Sequence, residues 1–192
     1  MNKIISTKQF GLKKNIGTKD ALAYITDNLY DKMGNAIPTM VTFLDLAKAF
    51  DTVNHVQLFS KLHDYEFRGK ILMLLRSYLS GRFQKVNING TCSSYESITI
   101  GVPQGSILGP LLFIIYLNDL LVTLPNDTIM SYADDTAIIC SDSTWSAAFC
   151  KMNDYLHTVA NWMKDNQLSL NLDKTIYMVF GSYINSLPPD NS

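Results

Sequence analysis

Two adjacent aspartates interrupt the stretch SYADDTAI, which covers residues 131–138 and is otherwise typical of paired strands. Adjacent carboxylates repel each other, and each would be costly to desolvate near the core of a sheet. A bound divalent cation would remove both penalties. A solvated hairpin turn would also explain the pair, because Asp is a common turn residue. The stretch leaves both interpretations open and predicts a tight hairpin in either case.

The composition limits what kind of protein this is. At 192 residues the chain has room for one fair-sized domain or one and a half small ones. A formal net charge of -1 excludes a generally basic nucleic-acid coat, so any contact with nucleic acid must be local. The three cysteines form no CxxC pair, which argues against a zinc site or a disulfide framework. The most apolar run, residues 107–117, is too short to span a bilayer, and no secretory signal is present. We therefore expect an intracellular protein of the nucleus or the cytoplasm, without a membrane partner.

Apolar spacing and turn residues predict the order of helices and strands. The clearest helix has apolar residues at helical spacing from Trp145 to Met163, with Ser143 as its cap. The pair Asn89-Gly90 predicts a hairpin, because both turn positions need positive φ. Further helices are predicted at 18–33 with Thr18 as cap, at 54–65, at 68–79 and from Pro110 as a buried helix. Strands are predicted at 40–46, 83–88, 95–100, 129–133 and 136–140, with 168–170 and 176–180 as a last pair. This order predicts an α+β fold, a mainly antiparallel sheet with helices on one face.

Three carboxylates belong to strands that are far apart in the sequence. Asp45 is predicted at the end of the first core strand, and Asp134 and Asp135 lie in the hairpin. If these strands are neighbours, the acids converge. Magnesium takes oxygen ligands and is held by one or two carboxylates together with water and substrate phosphates. Two such ions, about 3.5 to 4 Å apart, would support an in-line phosphoryl displacement. Solvated acids at strand ends are the alternative that spacing alone leaves open.

Four sequence blocks in a fixed order carry a family resemblance. They are FLDLAKAFDTVNH at 43–55, GVPQGSILGPLLF at 101–113, YADD at 132–135 and LSLNLDKT at 168–175. Together they resemble a reverse transcriptase. The segments QFGLKKN near the start and SGRFQKV before the Asn89-Gly90 turn are similar to those of the non-LTR retrotransposon branch of this family, with its jockey-like elements. The resemblance covers residues 9 to 180 and implies a right-handed polymerase palm.

The resemblance also implies roles for individual acids and for one lysine. Asp45 and Asp134 would be the metal ligands, and Asp135 would be a further acid of the site that ligates more weakly. Lys174 would act near the leaving pyrophosphate as a general acid, because a cation there meets developing negative charge.

A second group of residues is implied to bind the incoming nucleotide. Phe50 matches the steric gate, whose ring would exclude a 2′-hydroxyl. Gln104 belongs to the Pro-Gln-Gly segment that lies against the nucleotide and the template base. Gly105 would allow close approach of the backbone. The full set is Leu46, Ala47, Phe50, Gln104 and Gly105. An ordinary core aromatic remains the alternative for Phe50.

Two further sets of charged residues have less specific roles. We interpret Asp51 as structural or capping, because the polymerase pattern assigns the metal to the earlier acid. The basic residues of the first segment would line a phosphate path or form a solvated surface, and the sequence leaves both open. They are Lys3, Lys8, Lys13, Lys14 and Lys19.

The implied function is template-directed nucleotidyl transfer by an RNA-directed DNA polymerase core. Two Mg²⁺ ions, or Mn²⁺, would be the cofactors, and RNA template, DNA primer and deoxynucleoside triphosphates the partners. The alternative is a catalytically incomplete or domesticated palm that binds nucleic acid or protein. A nucleotide cyclase would not explain Pro-Gln-Gly, YADD and the lysine block together. We expect a partial fingers segment at 1–39, a palm with inserted fingers helices and a hairpin at 40–181, and a frayed tail at 182–192. The remaining fingers, the thumb and an endonuclease are expected in a longer parent polyprotein.

Overall fold

The computed structural model describes residues 4–181, so the predicted tail at 182–192 lies outside the described residues. The helices are α1 Thr18–Gly34, α2 His55–Asp64, α3 Gly69–Leu79, α4 Leu108–Leu117 and α5 Trp145–Asp165. The strands are β1 Thr39–Leu44, β2 Arg82–Gln84, β3 Asn87–Ile88, β4 Thr91–Cys92, β5 Glu96–Ile98, β6 Ile129–Tyr132, β7 Asp135–Ser141 and β8 Ile176–Phe180.

The chain divides into two units, each described by itself below. The first unit contains the described residues up to Ala47 and those from Leu117 onward, and the second runs from Lys48 to Tyr116. The predicted boundary between a fingers segment at 1–39 and a palm at 40–181 stays a prediction.

One antiparallel sheet of four strands organises the first unit, in the order β6, β7, β1 and β8. Strand β1 lies in the interior and pairs with β7 on one side and with β8 on the other. All of its residues except Phe43 are buried. A strand covered on both faces is apolar at nearly every position, which explains the run MVTFL. The predicted antiparallel sheet is confirmed.

Helices cover both faces of this sheet. On one face, α1 contributes Leu29 to a core cluster that includes Val41 of β1. On the other face, the Cys140 thiol of β7 donates a hydrogen bond to the Ala148 carbonyl oxygen of α5, at 3.6 Å. Cys140 pairs with Met40, the neighbour of Val41, and neighbouring strand residues point to opposite faces. The prediction of helices on one face is therefore wrong, because apolar spacing within a helix does not show which face it covers.

Two helices begin one residue away from their predicted caps. The cap of α5 is Thr144, whose hydroxyl oxygen accepts a hydrogen bond at 3.2 Å from the N–H of Ala147, so the prediction of Ser143 is wrong. At α1 the cap position is Gly17, and Thr18 is already helical. The Asp20 carboxylate accepts a hydrogen bond from the Gly17 N–H at 2.7 Å, so the capping group comes from within the first turn.

The second unit contains two short ribbons. Strand β3 pairs with β4 around Asn89 and Gly90, whose φ angles are 51° and 84°, so the hairpin predicted there is confirmed. Strand β2 pairs with β5. The strand predicted at 83–88 is broken in two, because the Val86 N–H donates to a side chain and not to a backbone carbonyl. The Val86 N–H donates to the Ser93 hydroxyl, and the Ser93 N–H donates to the Val86 carbonyl, both at 2.9 Å.

The predicted buried helix is α4. It begins at Leu108, ahead of the predicted start at Pro110, and Leu112 to Leu117 are all buried. Its apolar character all round is explained by this burial. Among residues 4–181, no helix combines the length and the apolar character needed to cross a bilayer.

The predicted pairing of residues 168–170 with 176–180 is wrong. Strand β8 pairs with β1 instead, with Phe43 opposite Ile176. Leu170 makes an isolated bridge to Leu46. The partner of β8 is thus a strand more than a hundred residues away in the sequence, which a local hairpin signal does not reveal.

Candidate functional site

Strands β6 and β7 form a hairpin, here called the acidic hairpin, in which Ala133 and Asp134 are the two connecting residues. Tyr132 pairs with Asp135, so Asp135 is the first residue of β7. Ala133 has a φ of 56°, in the left-handed region that costs an L-residue roughly 1–2 kcal/mol. The predicted hairpin is confirmed, and its turn contains one strained residue directly before Asp134.

The first-unit sheet brings Asp45 to the acidic hairpin. In the antiparallel register of β1 and β7, Leu44 lies opposite Thr136. Asp45 comes directly after Leu44 and Asp135 directly before Thr136, so both acids lie at the same end of this strand pair. Burial of the Asp135 carboxyl raises its pKa, and the negative charges of Asp134 and Asp45 raise it further. The charges of Asp134 and Asp45 therefore both act on Asp135, although the three acids come from two distant parts of the sequence.

These carboxylates fit a hard divalent cation by their chemistry. Across the described residues, no group of three or more His, Cys, Asp or Glu side chains is arranged to hold a metal ion. A magnesium-type site does not require such a group, because one or two carboxylates suffice when water and substrate phosphates complete the shell. A cation among the three acids would also relieve the repulsion that raises the Asp135 pKa.

Hydrogen bonds join the Asp45 backbone to the turn that contains Lys174. The Asp45 carbonyl accepts a hydrogen bond from the Asn171 N–H at 2.8 Å. The Asp45 N–H donates to the Thr175 hydroxyl at 3.5 Å, and that hydroxyl donates to the Asn171 carbonyl at 2.9 Å. Next along the chain, the Ala47 N–H donates to the Ser169 carbonyl at 2.8 Å. Residues 169–175 are thus anchored at the end of β1.

A cleft of about 400 Å³ opens on the sheet face that α1 covers. Asp45, Asp135 and Lys174 are among the residues that line it, whereas Asp134 is not. Most of the remaining lining is apolar and comes from α1 and the sheet, including Leu22, Ile25, Phe43, Met130, Tyr132 and Ile176. The structure therefore brings the predicted lysine to the same cleft as two of the three predicted acids.

The residues predicted to bind the nucleotide divide between the units. Leu46 and Ala47 follow Asp45 in the first unit, and the others belong to the second. The half-buried Phe50 ring packs against Phe113, with the ring centres 4.6 Å apart and the planes tilted by 36°. This partner explains how the ring is held.

The Pro-Gln-Gly segment has its own contacts in the second unit. The Gln104 amide nitrogen donates to the Asp51 carboxylate at 2.9 Å, which gives Asp51 a structural contact. Gly105 is exposed and has a φ of 75°, and a Cβ added there would meet no other atom within 4 Å. The glycine is therefore required by its backbone conformation and not by crowding.

Comparison with known proteins decides the family. The chain matches the family model described as reverse transcriptase (RNA-dependent DNA polymerase) over residues 1–186. It belongs to the reverse transcriptase family. The RNA-directed DNA polymerase from the mobile element jockey of Drosophila melanogaster is 30% identical over 98% of this chain, which covers 21% of that protein. The probable RNA-directed DNA polymerase from transposon BS of the same organism is 32% identical over 93% of the chain, which covers 20% of it. This reverse transcriptase chain thus spans about a fifth of the length of these relatives.

Solved structures show the same fold at low sequence identity. Telomerase from Candida albicans, in complex with a fragment of telomeric RNA, matches with a TM-score of 0.63 at 15% identity, over 84% of this chain and 31% of that one. Telomerase from Candida tropicalis without its C-terminal domain matches with a TM-score of 0.62 at 14% identity, over 86% and 36%. The predicted α+β palm and the resemblance to jockey-like elements are confirmed. Members of the reverse transcriptase family generally use divalent metal ions.

One residue in contact with the acidic hairpin of this reverse transcriptase chain, Gln9, was missed by the sequence reasoning. The segment QFGLKKN supported the family resemblance, but no role was assigned to its first residue. In the structure Gln9 is buried against the acidic hairpin and makes hydrogen bonds to Ser131 and Ala133. The resemblance concerns the segment as a whole, and a single polar residue within it gives no signal of which group it contacts.

Two of the early lysines bind the protein's own backbone. The Lys8 ammonium donates to the Leu121 carbonyl at 3.2 Å, and the Lys13 ammonium donates to the Ser6 carbonyl at 2.5 Å. Burial lowers the pKa of Lys13. Both side chains are half-buried, which does not fit a fully solvated surface, and the phosphate path stays a prediction. Lys3 lies outside the described residues.

Proposed function

We propose that this chain is the catalytic core of an RNA-directed DNA polymerase and carries out template-directed nucleotidyl transfer. The observation that carries the proposal is the electrostatic contact of Asp45 and Asp134 with Asp135. A carboxyl group whose pKa is raised by burial and by two neighbouring carboxylates is a poor structural element and a good cation site. The membership of the chain in the reverse transcriptase family supports the same function.

The inferred cofactor is a pair of Mg²⁺ ions, for which Mn²⁺ can substitute. Asp45 and Asp134 would hold them, with Asp135 as a further and weaker ligand. Such ions, when bound, supply Lewis-acid stabilisation of the attacking and leaving oxygens of a phosphoryl transfer. The task of the chain is to keep two or three carboxylate oxygens at fixed positions, which the antiparallel pairing of β1, β7 and β6 supports.

Lys174 would serve the leaving pyrophosphate. Its side chain is exposed and lines the cleft that Asp45 and Asp135 also line. The turn that contains it is anchored to the Asp45 backbone, which supports a fixed distance between the lysine and the acids. An ammonium group at this position would stabilise the negative charge that develops on the pyrophosphate and would donate a proton to it.

The inferred nucleotide site uses Leu46, Ala47, Phe50, Gln104 and Gly105. The packing of Phe50 against Phe113 supports a rigid ring, as a gate against a 2′-hydroxyl would require. The bond from Gln104 to Asp51 supports a defined Pro-Gln-Gly loop. We propose deoxynucleoside triphosphates as substrates and an RNA template with a DNA primer as partners.

We also propose that the chain works as part of a longer polyprotein, since it spans about a fifth of its relatives. Within it, residues 1–39 would be a fingers segment and residues 40–181 the palm. Because the inferred templates and primers are intracellular nucleic acids, we propose that it acts in the nucleus or the cytoplasm.

The test is primer extension by the full polypeptide that contains this chain, on a primed RNA template with Mg²⁺. Asp134→Ala is expected to lower the rate at least about a hundredfold, comparable to the loss of one transition-state stabiliser. Asp154→Ala, which changes an exposed acid of α5, is the matched control and is expected to keep full activity. Undiminished extension by the Asp134 variant would refute the assignment.

A further inference from the structure

Gln9 holds one residue of the acidic hairpin by both of its backbone polar groups. Its side chain is almost fully buried, with 1% exposed. The amide nitrogen donates to the Ala133 carbonyl and to the Ser131 hydroxyl, both at 3.3 Å. The amide oxygen accepts from the Ala133 N–H at 2.9 Å and from the Gly11 N–H at 2.7 Å. The residue held in this way is the one with the left-handed φ of 56°.

The segment around Gln9 lies directly against the hairpin. Gln9 and Ser131 form a parallel bridge, in which the Phe10 N–H donates to the Ser131 carbonyl at 2.7 Å and the Ser131 N–H donates to the Lys8 carbonyl at 2.9 Å. A Cβ added to Gly11 would come within 2.3 Å of the Ala133 nitrogen. Residues 8–11, here called the brace, thus lie along β6. The Gln9 amide reaches past the end of β6 to the turn.

We propose that Gln9 is a positioning residue of the metal site, whose amide fixes the Ala133 turn and so sets where the Asp134 and Asp135 carboxylates are held. The inference rests on the proposed function, because it assumes that these carboxylates bind cations. Without the amide, both backbone groups of Ala133 lose their Gln9 partner, and the turn is free to leave its strained conformation. Residues that orient metal ligands from behind typically contribute about 10- to 100-fold in metal affinity.

The primary test measures Mn²⁺ binding by electron paramagnetic resonance. The full polypeptide is used with a primer–template whose primer lacks a 3′-hydroxyl and with a deoxynucleoside triphosphate. Gln9→Met keeps the unbranched shape of the side chain and removes all four hydrogen bonds. We expect it to weaken Mn²⁺ binding about tenfold or more. The control is Leu29→Ala, which removes packing from the core cluster that includes Met130 and Ala137 of the hairpin strands but leaves the hydrogen bonds between Gln9 and Ala133 in place. We expect it to lower the thermal unfolding midpoint and to leave Mn²⁺ affinity unchanged.

A rescue variant separates positioning from a general loss of stability. Glycine adopts positive φ without a steric penalty, so Ala133→Gly removes the strain that the amide offsets. Added to Gln9→Met, it is expected to restore part of the lost Mn²⁺ affinity, because glycine adopts the left-handed turn without strain but is not confined to it. A double variant that binds Mn²⁺ no better than Gln9→Met would overturn the proposed mechanism, as would a loss of affinity in Leu29→Ala equal to that in Gln9→Met.

If Gln9→Met shows no cooperative unfolding transition, Ser131→Ala tests the same contact with less disruption. It removes the hydroxyl that the Gln9 amide contacts and that donates to the Ala133 carbonyl at 2.9 Å. Weaker Mn²⁺ binding in this variant supports the inference, and unchanged binding overturns it. Failure of the proposed function has a different signature: Mn²⁺ binding then does not depend on Asp134. Binding that is lost in Asp134→Ala and retained in Gln9→Met contradicts only the role of Gln9.

Discussion

Gly11 faces the backbone of the acidic hairpin so closely that no side chain fits there. A Cβ at this position would lie 2.3 Å from the Ala133 nitrogen, 3.0 Å from its Cα and 3.1 Å from its Cβ. Two of these atoms belong to the backbone, which yields less easily than a flexible side chain. We therefore expect Gly11→Ala to destabilise the fold by about 1–3 kcal/mol, the usual cost of overpacking. For a chain of this size that lowers the unfolding midpoint by roughly 2–4 °C per kcal/mol.

The matched control is the same substitution at Gly34. A Cβ there meets nothing within 4 Å, and Gly34 is the last residue of α1. Because glycine is less favourable than alanine in a helix by roughly 0.5–1 kcal/mol, Gly34→Ala is expected to be neutral or stabilising. Urea unfolding followed by circular dichroism compares both variants with the wild type. A Gly11→Ala protein as stable as the wild type would refute the close contact between the brace and the hairpin.

Two further predictions concern the nucleotide gate and pH. Phe50→Val is expected to raise ribonucleotide incorporation, because a smaller side chain leaves room for a 2′-hydroxyl. Single-nucleotide incorporation measures the preference, and an unchanged ratio would count against the gate. Burial and the negative charge of Asp127, to which the Tyr24 hydroxyl donates at 3.2 Å, raise the Tyr24 pKa to about 12. The unfolded value lies near 10, so this stabilisation is complete below about pH 10 and is lost as the pH rises through about 12. The unfolding free energy of Tyr24→Phe is expected to fall less steeply over that interval, and parallel pH profiles would contradict the assignment.

Local signals in the sequence predict the elements of this fold well. The Asn89-Gly90 turn, the long helix α5 and the acidic hairpin each depend on residues close together in the chain, and all three form where expected. Errors of one residue at the caps arise because several neighbouring polar groups can accept the same backbone N–H. In α5 the capping residue is Thr144, next to the predicted Ser143.

Long-range pairing was harder to predict. The sequence shows that residues 176–180 form a strand, but not that this strand lies beside β1 rather than beside residues 168–170. The same limit applies to the site. Asp45 was predicted to approach the acidic hairpin only on the condition that two strands are neighbours, and the register of β1 and β7 meets that condition. For Gln9 no predicted strand pairing indicates a contact, because its side chain alone makes the bond to Ala133, 124 residues later in the sequence.

The turn at Ala133 combines a local conformational cost with stabilising hydrogen bonds from a residue far away in the sequence. Its left-handed φ of 56° costs roughly 1–2 kcal/mol, and the two hydrogen bonds that Gln9 makes to it contribute about 0.5–1.5 kcal/mol each. These magnitudes are comparable, so the strain of the turn is offset only while residues 8–11 lie against β6. A glycine at this position would avoid the strain but would leave the turn free to adopt other conformations. An alanine held from outside the hairpin restricts the turn to one conformation, and the carboxylate that follows it is held with the turn.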